Sequence, residues 1–279
     1  KGAENMYSWH LPSTVAAGQG SLERLPALCG GAKRAVVLTD PGVAGTGLTE
    51  ESARALRETG TEVTVMSDIP SEPTCDQAQR VIDACLDRDP DVIIGFGGGS
   101  VMDIAKLAAV CSRETGVRDL LRDASGARRQ RRMIAVPTTA GTGAEATPNA
   151  IVAVPEEQLK IGIVSEQMIP DAVILDGACT RRLPAKIAAS TGVDAFCHAI
   201  ECYTSRKATP FSDLFAEEAL KIIFTHLEPA CLEPDAAASR DAMLLAAFYG
   251  GAAIACSGTT AVHALSYPLG GKYHIAHGV

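Results

Sequence analysis

No CxxC pair and no regular cysteine spacing occur in this chain of 279 residues, and its nine cysteines are an odd number. That pattern argues against a disulfide framework and for buried, reduced thiols of a cytoplasmic protein. No charged segment precedes an apolar stretch near Lys1, so no secretory leader is expected. Acidic residues outnumber basic ones 33 to 25, and the basic ones are scattered apart from "RRQRR", Arg128 to Arg132. This excludes the electrostatic footprint of a nucleic-acid-binding surface and leaves the short run as a solvated loop. The fingerprint G-x-G-x-x-G and the GK[ST] of a P-loop are both missing. From Ala242 to Gly271 there is no Asp, Glu, Lys or Arg, a length that could span a bilayer. Gly250-Gly251, "SGTT" and His263 interrupt it, which predicts a helix, a turn and a second helix in a protein core, and no membrane span.

What is present divides into two textures. With 47% hydrophobic residues the chain has ample material for a core. From Arg34 to about Asp176, the β-branched runs "AVVLTD", "EVTVMSD", "DVIIGFGGG", "RMIAVPTT" and "AVILD" alternate with helical patterns around Glu51–Thr59 and Asp76–Asp87. This rhythm predicts an α/β half with a mostly parallel sheet covered on both faces. Alanine-rich helical sequence follows, with hardly any strand signal. A boundary is expected near Gly177–Pro184, dividing residues 1–180 from an all-α half, 181–279.

Two loops follow predicted strands. Gly97-Gly98-Gly99-Ser100 separates a strand from a helix, so backbone N–H groups and the helix dipole can converge on a pyrophosphate. A tight turn would use the same residues. "PTTAGTGAEATPNA" offers the hydroxyls of Thr138, Thr139, Thr142 and Thr147 at a second strand end. Two such loops on one sheet form the kind of crevice in which nucleotides bind. Asp40, ending the first run in "LTDPG", is placed to meet a ribose hydroxyl, although an Asp-Pro-Gly turn explains it locally.

In "GVDAFCHAIECYTS" the helical period puts Asp194, His198 and Glu201 on one stripe. A solvated face, an internal hydrogen bond and a metal site all remain open for them. Cys197 and Cys202 on the same helix read as packing residues. Three of the six histidines, His263, His274 and His277, crowd into the last 17 residues, whereas His10 and His226 lack a chemical context. If His263 and His277 converge on the stripe, one carboxylate and three imidazoles would surround a divalent metal. That thiolate-free set suits Fe(II) or Zn(II).

"GGGSVMDIAK", "PTTAGTGAEAT", "GVDAFCHAIECY" and "HALSYPLGGKYHIAHGV", in this order and spacing, resemble the iron-containing (group III) alcohol dehydrogenases over essentially the whole chain. That family shares its fold with dehydroquinate synthase. The resemblance implies NAD(P) and a metal between the two halves, a small alcohol or aldehyde as substrate, and a homodimer. It implies Asp194, His198, His263 and His277 as metal ligands and Gly97 to Ser100 as the pyrophosphate loop. The threonine loop would flank the nicotinamide half, with Asn149 and Lys160 nearby, and Asp40 would favour NAD over NADP. Many members carry a further histidine where this chain has Tyr267, so the alcohol proton would leave through water, Tyr267 or His274, with Glu201 either behind a ligand histidine or in a surface ion pair. Members also continue past the position of Val279, so the helical half is expected to be incomplete here.

The activity expected is alcohol–aldehyde or alcohol–ketone interconversion by hydride transfer. Hydroxyacid–oxoacid transhydrogenation, dehydroquinate synthase-like chemistry and nucleotide binding without catalysis are the alternatives.

Overall fold

Six of the apolar runs pair into one parallel sheet: β1 (Thr14–Ala17), β2 (Arg34–Leu38), β3 (Glu62–Met66), β4 (Val92–Gly97), β5 (Arg132–Pro137) and β8 (Ala172–Leu175). Their spatial order is β1-β8-β5-β4-β2-β3. The structure, a computed structural model, describes residues 7–233, 236–273, 277 and 278. Every residue of β4 is buried, as expected of a central parallel strand covered on both faces. Alternation divides the strands between two cores. Ile93, Met133 and Ala135 face one with Val36, while Ile94, Ile134 and Val136 face the other with Val37.

All five runs expected from the sequence are strands of this sheet. The edge strand β1 escapes a periodicity reading because four residues carry almost no period. A separate antiparallel pair, β6 (Asn149–Val154) and β7 (Leu159–Val164), follows the threonine loop. Its turn at Pro155–Gln158 has Gln158 at φ 53°. The helix expected around Asp76 starts at Cys75, because Thr74 and Gln77 form a reciprocal capping box.

The basic run is more than a solvated loop. Arg128 donates to the Ser125 carbonyl, Arg129 to Ile169, Arg131 to Cys111 and Arg132 to Leu28. These guanidiniums tie the start of β5 to its surroundings. All nine cysteines are free.

After β8 the chain is helical: Ala185–Thr204, Pro210–Leu232, Ala237–Ser257 and Ala261–Tyr273. The last two meet at 93°, and no single helix among the described residues is long and apolar enough to cross a membrane. Small residues on the Ala237–Ser257 helix let the threonine loop seat directly on its backbone. Gly143 stands at φ +59°, and a Cβ there would lie 2.6 Å from Gly251 N. A Cβ on Gly251 would collide with the Gly143 carbonyl. This backbone contact sets the loop against the helical half. Gly251→Ala should cost about 1–3 kcal/mol in chemical denaturation; parental stability would show that the loop can give way.

Candidate metal and nucleotide site

Asp194 and His198 stand one turn apart on the Ala185–Thr204 helix, His263 on the Ala261–Tyr273 helix, and His277 beyond it. One ligand atom from each lies within 4.8 Å of the others. Asp194 Oδ1 is 3.8 Å from His198 Nε2 and 3.4 Å from the Nε2 atoms of His263 and His277. Asp194, His198 and His263 are buried. A tetrahedron with bonds of about 2.1 Å has edges of about 3.4 Å. The spacing and the N₃O chemistry therefore fit a borderline divalent cation.

The Nδ1 atoms of His198 and His263 are engaged away from this point. His198 Nδ1 is 3.4 Å from the carbonyl of Gly141 in the threonine loop, and His263 Nδ1 is 2.5 Å from Glu201 Oε2. Glu201 also accepts from Val262 N at 2.6 Å and Thr260 Oγ1 at 2.8 Å. It thus joins the start of the His263 helix to the Asp194 helix while orienting the imidazole. Burial pushes His198 down to about 4, the neutral form in which imidazole is a ligand. Burial opposes ionisation of Asp194, yet the facing His198 and hydrogen bonds from His263 and His277 hold its carboxyl well below the usual range.

The glycine and threonine loops lie side by side at the ends of β4 and β5. A Cβ on Gly99 would meet Thr142 Cγ2 at 2.9 Å, so close approach requires glycine there. Two cavities open beside them, of about 100 and 80 Å³. Gly99, Ser100 and Lys160 line the first; Thr147, Asn149, His198 and His263 line the second; Thr142 and His277 line both. Gly97, Gly98, Thr138 and Thr139 line neither, though a Cβ on Gly98 would lie 3.4 Å from Thr139 Oγ1. Asp40 caps the short Pro41–Ala44 helix through Oδ1 and Val43 N, the local turn role, and also lines neither cavity. Tyr267 lies on the His263 helix, but its side chain, like all of His274, lies outside the described residues. A larger cavity of about 550 Å³, between Leu25, Glu51 and Asp176, carries none of these groups.

Three ionisable residues behind the loops are absent from the sequence reading. Lys106 is completely buried and donates to Thr147 Oγ1 at 3.0 Å and the Asn149 carbonyl at 2.7 Å. Thr147 therefore serves the protein interior as well as the cavity wall. Asp103, 3.7 Å from Lys106, accepts from Ile151 N, and burial raises it to about 6. Glu145 is buried with both oxygens lacking a hydrogen-bond partner. The signal was in the motifs, since "GGGSVMDIAK" and "GTGAEAT" each place charge inside an apolar run.

Burial pushes the Glu145 carboxyl up to about 7 from 4.5. The folded chain then holds a proton that the unfolded chain releases, so this group's contribution to stability falls as pH rises from 4.5 to 7. Glu145→Gln lacks that loss. Its stability relative to the parent should climb by up to about 3 kcal/mol across the interval and then level off. Parallel stability curves for the two proteins would reject the assignment.

Residues 12–177 match the family model for iron-containing alcohol dehydrogenase, and residues 188–279 match the C-terminal model of the Fe-containing alcohol dehydrogenase family. The chain belongs to the iron-containing alcohol dehydrogenase family. It is 36% identical to long-chain-alcohol dehydrogenase 1 of Geobacillus thermodenitrificans, over 89% of this chain and 63% of that protein. It is 31% identical to the NAD-dependent methanol dehydrogenase of Bacillus methanolicus, over 98% and 73% respectively. The crystal structure of an iron-containing alcohol dehydrogenase from Thermotoga maritima superposes with a TM-score of 0.90 at 35% identity, covering 98% of this chain and 76% of that one. The chain thus spans less than two thirds of the first relative's length and about three quarters of the other two.

Proposed function

We propose that the protein is a metal-dependent, NAD-linked oxidoreductase that interconverts a small alcohol with its aldehyde or ketone. The observation that carries this reading is the convergence of Asp194, His198, His263 and His277 beside a cavity shared with the threonine loop. Bound in this crevice, a divalent cation would supply Lewis acidity toward an alcohol oxygen, and the nicotinamide nucleotide would supply a hydride acceptor. The four side chains would hold the cation, Fe(II) by family membership and Zn(II) by the same donor chemistry. Glu201 keeps His263 Nδ1 occupied, so that Nε2 faces the donor cluster.

The loop of Gly97, Gly98, Gly99 and Ser100 would bind pyrophosphate through backbone N–H groups. Thr138, Thr139, Thr142, Thr147, Asn149 and Lys160 would line the path toward the nicotinamide. Tyr267 and His274 are the groups assigned to carry the alcohol proton to solvent. In this scheme a nucleotide half ends near residue 180 and a helical metal half follows. The nine free thiols suit the reducing cytoplasm, and the resemblance implies a homodimer.

His263→Ala should remove bound metal and lower NAD-linked turnover of small alcohols by at least about a hundredfold. Unchanged turnover would reject the site, and nucleotide binding by a parent without metal or turnover would leave a non-catalytic binding protein. Asp40 is assigned the choice of NAD over NADP through repulsion of a 2′-phosphate. Asp40→Ser should raise the NADP-to-NAD ratio of kcat/KM about tenfold, and an unmoved ratio would return Asp40 to its capping role alone.

A further inference from the structure

Glu72, in the segment between β3 and the Cys75–Leu86 helix, belongs to none of the motifs, yet it touches two of them and Lys160 as well. Its N–H donates to Ser100 Oγ in the glycine loop at 3.0 Å. Its Oε1 pairs with Lys160 Nζ of β7 at 2.7 Å and accepts from the His277 backbone N at 3.3 Å. The Lys160 side chain is 10% exposed and that of Glu72 28%, so this ion pair is partly shielded from water. Glu72 also holds φ +49°, a left-handed conformation that glycine or asparagine would adopt more readily. A side chain kept at such a position is held by its contacts.

We propose that Glu72 is a positioning residue shared by the nucleotide and metal sites, pulling their affinities in opposite directions. The proposal rests on the functional reading above, in which Lys160 faces the nucleotide and His277 the metal. An anionic nucleotide must compete with the Glu72 carboxylate for Lys160 and also meets its negative charge beside the glycine loop. Glu72 therefore weakens nucleotide binding. The same carboxylate fixes the backbone of His277, whose ring is the donor farthest along the chain. Here Glu72 strengthens metal retention, as hydrogen bonds behind a ligand do.

The test is NADH fluorescence titration of the metal-loaded parent, Glu72→Gln and Glu72→Ala, together with the rate of metal loss to a chelator without nucleotide. Glu72→Gln removes the charge and keeps an acceptor for His277 N. It should tighten NADH about fivefold while keeping metal release close to the parental rate. Glu72→Ala should tighten NADH similarly and release metal about tenfold faster. A fold held only loosely by Glu72 would weaken both affinities together, and that result, or no change in either, overturns the proposal. Failure of the functional reading itself is distinct, because the parent would then hold no metal and bind no NADH.

Discussion

Burying the Asp194 carboxylate is the constraint around which the two textures of the chain are joined. A charge taken out of water costs several kcal/mol unless it is paired and hydrogen-bonded. Asp194 meets that cost with imidazoles from its own helix, from the Ala261–Tyr273 helix and from the segment beyond it. Each histidine must in turn be oriented. His198 turns its other nitrogen toward the Gly141 carbonyl, and His263 gives its own to Glu201. The first of these contacts joins the helices to the loop after β5, and the second joins the Asp194 helix to the His263 helix. Satisfying one buried carboxylate therefore orders elements far apart in sequence.

The sheet contributes the opposite wall by topology alone. β4 and β5 are parallel neighbours, so both of their following loops emerge at one edge. A crevice beyond the carboxyl ends of such strands is where α/β proteins bind ligands. Close packing, rather than unusual dihedrals, gives the glycine loop its composition: none of Gly97, Gly98 and Gly99 has positive φ, and Thr142 lies where a Gly99 side chain would stand. Lys106 anchors the base of the threonine loop from within. Its ammonium spans Thr147 and the first residue of β6, with carboxylates placed to offset a charge that burial disfavours.

Periodicity was enough to read the central strands, because runs such as "VIIGF" are buried on both faces and keep their apolar character throughout. It was not enough for β1, whose four residues carry almost no pattern, or for β6 and β7, which follow a loop rich in turn residues. Glu201 illustrates the limit at the site. The helical stripe places it beside Asp194 and His198, but an ion pair in solvent would produce the same spacing. Its real partners, Thr260, Val262 and His263, lie about sixty residues away.

The amino-acid sequence by itself determined the class of fold and the residue types available for chemistry, since hydrophobic period, glycine loops and histidine placement are local properties of a chain. Tertiary structure alone decided which of those residues meet. The Asp40 carboxylate caps a short helix, Lys160 is held by Glu72, and Asp103, Lys106 and Glu145 are buried ionisable groups next to the loops. The physical reason is that pairing in a low-dielectric interior depends on distances of a few ångströms between segments separated by tens to hundreds of residues. Spacing along a chain carries no record of those distances.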